Sequence, residues 1–103
     1  MRDILRRIKR AVLAGRLVFT DKATEEIERD HLSELDVAEA LIGAPAISKT
    51  LRSTHPSRRG ATEYLFVIHG ITLDGILVYT KGRLARESGE DHFYVLVSSK
   101  RGQ

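Results

Sequence analysis

Three apolar runs in the second half of the chain, Tyr64-Leu-Phe-Val-Ile68, Gly75-Ile-Leu-Val-Tyr-Thr80 and His92-Phe-Tyr-Val-Leu-Val97, constrain the fold more than any other feature. They are rich in β-branched and aromatic residues and bounded by Gly, Asp and Ser, the composition of strands separated by turns. The middle run is apolar at both alternate sets of positions, which predicts an interior strand partly covered on both faces. The last run divides into Phe93, Val95 and Val97 on one face and His92, Tyr94, Leu96 and Ser98 on the other. One face of the sheet is therefore expected to pack on a core, and the face carrying Tyr, His and basic side chains to do the protein's work.

Ahead of these runs the period changes. Ile4, Leu5, Ile8, Ala11 and Val12 recur at helical spacing, with Arg2, Arg6, Arg7, Lys9 and Arg10 around the rest of the wheel, and Gly15 suits the residue just past a helix end. Bases on such a helix either grip an anion or only keep it solvated. Leu17-Val-Phe19 reads as extended, and Thr20 or Asp21 as the cap of a helix reaching about Arg29. Ser33 with Asp36 resembles a capping box, and Leu35, Ala38, Leu41 and Ile42 give the next helix an inner face, ended by Gly43 and Pro45. Residues 46–53 alternate enough for a first strand, 54–60 have loop composition, 70–75 suit a hairpin turn, and 81–91 form either an extended hairpin or a loop. Helices followed by a strand meander predict one α+β domain over 1–103: two to three N-terminal helices on one face of a mainly antiparallel sheet of about four strands.

Composition excludes several classes. Without cysteine there are no disulfides or thiolate metal ligands, and His31, His55, His69 and His92 lack ligand spacing, so neither metal nor cofactor is expected. No apolar run approaches the roughly 18 to 20 residues of a membrane span, and the start Met1-Arg-Asp-Ile lacks a secretory apolar region; a cytoplasmic protein with no membrane partner is expected.

The net charge of +3 hides an asymmetry. Residues 21–39 hold eight acids against two bases, a local balance of −6 that leaves +9 for the rest of the chain. Residues 40–60 contain Lys49, Arg52, Arg58 and Arg59 and no acid; Lys81, Arg83 and Arg86 follow the central apolar run, and Lys100 with Arg101 the last one. Strand ends in a meander can converge, and these residues then form a polyanion site with RNA as the expected ligand; the alternative is a surface loop that is basic without a ligand. The acidic segment is expected to stay solvated or to meet a basic protein surface. Metal-free RNA cleavage needs a base for the 2′-OH, cations for the phosphorane and an acid for the leaving 5′ oxygen, roles open to Lys, Arg, Tyr and His. Tyr64, Tyr79 and Tyr94 are alternatively ordinary amphipathic sheet residues, and His69 and His92 ordinary strand-end histidines.

The segments Ile8-Lys-Arg-Ala-Val-Leu-Ala-Gly-Arg-Leu-Val18, Val37 to Gly43, Ser48-Lys-Thr50, Tyr64 to Ile68 and Asp74 to Lys81 resemble the motility quorum-sensing regulator (MqsR) toxins, small ribonucleases on a RelE-like α+β fold. The resemblance spans roughly residues 4–82 and implies functional roles for Lys49, Tyr64 and Lys81; that family's functional glutamine has no counterpart in the shorter loop here. On chemistry alone, His69 or His92 is a further candidate, for the leaving-group acid. The closing strand with Lys100-Arg101 is similar to a related group of uncharacterised short proteins encoded beside zinc-finger antitoxin-like proteins; Lys22 stands where they usually carry histidine. The implied function is a metal-independent endoribonuclease, the toxin of a type II toxin–antitoxin pair, restrained by a zinc-ribbon or helix-turn-helix antitoxin. The alternative is a non-catalytic module on the same fold that binds protein or nucleic acid.

Overall fold

The structure, a computed structural model, describes residues 2–52, 63–87 and 90–102, without the side chains of 2, 87 and 90–92. In chain order the elements are α1 (Arg2–Leu13), β1 (Leu17–Phe19), α2 (Asp21–Arg29), α3 (Glu34–Gly43), β2 (Lys49–Arg52), β3 (Tyr64–Ile71), β4 (Leu77–Glu87) and β5 (Glu90–Arg101). The strands form one sheet in the order β1-β5-β4-β3-β2, antiparallel except where β1 lies parallel to β5. The three helices pack on one face of it, an α+β arrangement.

Local signals set the helix ends. The φ of Gly15 is 76°, and bonds from Gly15 N to Val12 O (3.1 Å) and Arg16 N to Ala11 O (2.8 Å) close α1 with a left-handed turn that a side chain would strain. Thr20 Oγ1 accepts from Ala23 N and donates to Leu96 O at 2.9 Å, so the N-cap of α2 is also its anchor to β5. Ser33 and Asp36 form the reciprocal capping box at the start of α3.

The core lies between helices and sheet: Ile8, Ala23, Val37, Ala40, Leu41, Ile68, Val78, Tyr94 and Leu96 are almost wholly buried. Two expectations about faces are corrected here. In α3 the inner face is Val37, Ala40 and Leu41, whereas Leu35 is 68% and Ile42 39% exposed. The cause is Gly70 of β3: a Cβ there would stand 1.9 Å from the carbonyl oxygen of Ala40, so helix and strand meet backbone to backbone at Ala40. Leu35 and Ile42 are turned off that contact line. In β5 the face with Tyr94 and Leu96 is the one under the helices, while Phe93, Val95 and Val97 lie on the open side. Gly82, beside Tyr94, leaves the space its ring occupies, since a Cβ would come within 2.7 Å of it.

Other boundaries also shift. The sheet has five strands because Leu17–Phe19 pairs with Tyr94, Val95 and Leu96 instead of serving only as an extended link. Of the first strand expected over 46–53, Lys49–Arg52 are strand and 46–48 are not, residue 53 lying outside the described residues. Of segment 81–91, the described residues are an extended hairpin arm, paired out to Glu87 opposite Glu90, and two register shifts leave Val97 and His92 as extra residues in β5. Such bulges bend a strand and raise its twist.

Candidate functional site

Alternation along β3 sorts the charged and aromatic residues onto two sides of the sheet. Phe66 and Ile68 enter the core and Gly70 meets α3, so Val67, His69 and Ile71 face away from the helices. The pairings Lys49↔Val67↔Lys81 and His69↔Tyr79↔Lys100 place Lys49, Lys81, His69, Tyr79 and Lys100 together on this open face, whereas Arg83 lines the cavity beside α1. Lys49 and Lys81 flank Val67, about 10 Å apart at Cα, and the His69 row lies about 7 Å further along the strands.

The His69 row is built, not merely collected. Ser48 Oγ lies 2.9 Å from His69 Nδ1 and fixes the imidazole, and among the described residues Nε2 has no hydrogen-bond partner. The Tyr79 ring meets the imidazole edge-on, with centroids 5.4 Å apart, and Lys100 Nζ stands 5.5 Å from the centroid of Tyr79. These three side chains, with Asp30, Arg101 and Gly102, line an open cavity of about 490 Å³. Arg101 is held on α2 by bonds from its amide to Asp30 Oδ2 (2.9 Å) and from Nε to Asp30 O (3.0 Å). A hydroxyl-fixed imidazole, a phenol and an ammonium in one line can exchange protons and balance a phosphate's charge. Among the described residues no three His, Asp or Glu side chains are placed to hold a metal ion.

Tyr64 does not join this group. It continues the helix-facing set of β3, and its 49% exposed side chain lines a separate cavity of about 410 Å³ with Ile4 and Arg7 of α1, Phe66, Arg83 and Arg86. Arg52, paired with Tyr64, lies on that same side. The expected trio of Lys49, Tyr64 and Lys81 is therefore divided by the sheet. Arg58 and Arg59 lie outside the described residues, as does the side chain of His92. Tyr94 is excluded as a proton shuttle: burial pushes its hydroxyl well above its ordinary value.

Ser48 and Tyr79 are the site residues that pattern reading missed. Tyr79 had a usable signal: a hairpin centred on Asp74 places residues five positions either side opposite each other, which pairs His69 with Tyr79. Ser48 had none, since it precedes β2 and reaches His69 only through the β2–β3 pairing.

No protein-family model, curated protein or solved structure matches the chain, so the site rests on its own geometry.

Proposed function

We propose that this domain binds RNA on the open face of its sheet and cleaves it without a metal, as the toxin of a type II pair that a cognate antitoxin restrains in the cytoplasm. The observation supporting this reading is the row Ser48–His69–Tyr79–Lys100, with Lys49 and Lys81 one row away. His69 Nε2 takes the proton of a 2′-OH as that oxygen attacks the phosphorus. Lys49 and Lys81 balance the added charge of the phosphorane. Tyr79 gives its proton to the departing 5′ oxygen, leaving a 2′,3′-cyclic phosphate and a 5′-hydroxyl end.

The test is cleavage of an end-labelled RNA in EDTA by the wild type and by His69→Ala, with folding checked by circular dichroism. The expected loss in His69→Ala is about 10² to 10⁴-fold. Full activity in the variant would overturn the site, and loss of wild-type cleavage in EDTA would overturn the metal-free chemistry. The exposure of His69 and Lys100 favours a second reading, a non-catalytic module that binds RNA on the same face. Such a module would retain salt-sensitive binding and leave the RNA intact.

A further inference from the structure

Leu35, Ile42 and Leu73 are 68, 39 and 87% exposed, and the contact of the β3–β4 hairpin tip with α3 sets them around Glu39. Leu35 and Ile42 lie one turn before and one after Glu39 on the outer face of α3. Glu39 Oε1 accepts a hydrogen bond from Leu73 N at 3.1 Å, which fixes the tip of the β3–β4 hairpin against that face, and Ile71 O lies against Gly43. Three large aliphatic side chains around Glu39 form an apolar patch on the order of a few hundred Å², a size that on a protein surface is often functional.

The charge around the patch identifies the chemistry of that partner. The helix Glu34–Gly43 carries Glu34, Asp36 and Glu39 and no base, and the tip of the hairpin adds Asp74. A self-paired face would set these acids against one another. Docking on the basic sheet of a second copy would be heterologous, giving a ring or an open filament that sedimentation would detect. We propose that this face is the docking surface for a basic amphipathic helix of a different protein, with leucine-type anchors between Leu35, Ile42 and Leu73 and flanking Lys or Arg side chains over Glu34 and Asp74. The surface lies on the helical side and at the hairpin tip, away from the row of His69, and does not depend on any activity there.

The test uses two synthetic amphipathic peptides of about 18 residues, long enough to populate a helix. They share one leucine stripe and differ in flanks of Lys or Glu. Each is titrated into the ¹⁵N-labelled protein, with affinity read by fluorescence anisotropy. The basic peptide should bind at least about tenfold more tightly than the acidic one, with amide shifts confined to residues 35–43 and 71–75. Leu35→Ser with Leu73→Ser should weaken it about tenfold or more, and Glu34→Lys with Asp74→Lys should abolish the preference for basic flanks. All four positions are on the surface, so the variants should keep the wild-type melting temperature. Equal affinity for both peptides, no saturable binding, or shifts centred elsewhere would overturn the proposal. Wild-type dimerisation in sedimentation, lost in Leu73→Ser, would also overturn it in favour of a second copy.

Discussion

Glu26 Oε1 lies 3.1 Å from the backbone nitrogen of Ser99, so a helix carboxylate closes the edge of β5 where β1 no longer runs beside it. The same oxygen accepts from Ser98 Oγ at 2.7 Å, and one helical turn later Asp30 Oδ2 takes the amide of Arg101. Four helix residues rise about 6 Å and two strand residues about 6.7 Å, which is why acids at i and i+4 of α2 match alternate amides of β5. An open strand edge is a template for aggregation, and this device covers it. The acidic segment is therefore not wholly solvated: Glu26 is only 8% exposed and belongs to the fold.

Replacing Glu26 with Ala strands the Ser99 amide and the Ser98 hydroxyl in a buried setting. The expected cost is about 2 to 4 kcal/mol, and Glu26→Gln, which keeps an acceptor oxygen, should lose less than half of that. Urea unfolding of the two variants decides it. Equal losses would mean that the charge, not the acceptor, secures the edge.

Tyr94 makes stability depend on alkali. Its hydroxyl is pushed upward by burial from an ordinary value near 10, so above that pH the unfolded chain releases a proton that the folded chain retains. Unfolded molecules then bind fewer protons, and stability falls as pH rises, by about 1.4 kcal/mol per pH unit from this group. Below pH 10 the tyrosine is neutral in both states and contributes no slope. Tyr94→Phe should remove this component and lose only about 1 kcal/mol at neutral pH, since the bond to Phe66 O is long at 3.5 Å. Parallel slopes between pH 9.5 and 11.5 in the two proteins would contradict the assignment.

Gly70 and Gly82 explain where pattern reading stopped. The strands, helices and caps were legible because Gly15, Thr20, Ser33 and Asp36 act on their own neighbours. Which face turned inward was not. α3 is apolar at Leu35, Val37, Ala38, Leu41 and Ile42, nearly all round, and β5 is apolar on both sides, so periodicity alone left the choice open. The choice is made across the sheet, by a missing Cβ under Ala40 and another beside Tyr94. Gly70→Ala should therefore cost about 3 kcal/mol or more, because the obstructing atoms are backbone and cannot rotate away. A melting temperature within a few degrees of wild type would show that α3 docks more loosely than this contact requires.

RNA affinity should carry the signature of the open face. For single strands, log K falls with log salt by roughly 0.7 per phosphate contact. Lys49→Ala, Lys81→Ala and Lys100→Ala should each flatten the slope by about that amount, whereas Arg101→Ala, whose Nε is held by Asp30 O, should change it little. Unchanged slopes in all three lysine variants would move the RNA off this face, whether or not the protein cleaves it.

Tyr79 and Tyr64 separate this site from the one that the family resemblance implies. Tyr79 lies beside His69 on the open face, while Tyr64 lies on the helix side with Ile4 and Arg7. A proton donor must come within about 3 Å of the leaving oxygen while the base reaches the 2′-OH of the same nucleotide, and only the first tyrosine shares a face with the imidazole. Tyr79→Phe should therefore lower the cleavage rate about 10² to 10³-fold at saturating RNA, with little change in binding, because Lys100 keeps an aromatic ring beneath it. Tyr64→Phe should leave the rate within about threefold of wild type. Measured together by single-turnover cleavage, a large loss in Tyr64→Phe with none in Tyr79→Phe would transfer the chemistry to the cavity beside α1 and leave the His69 row as binding surface only.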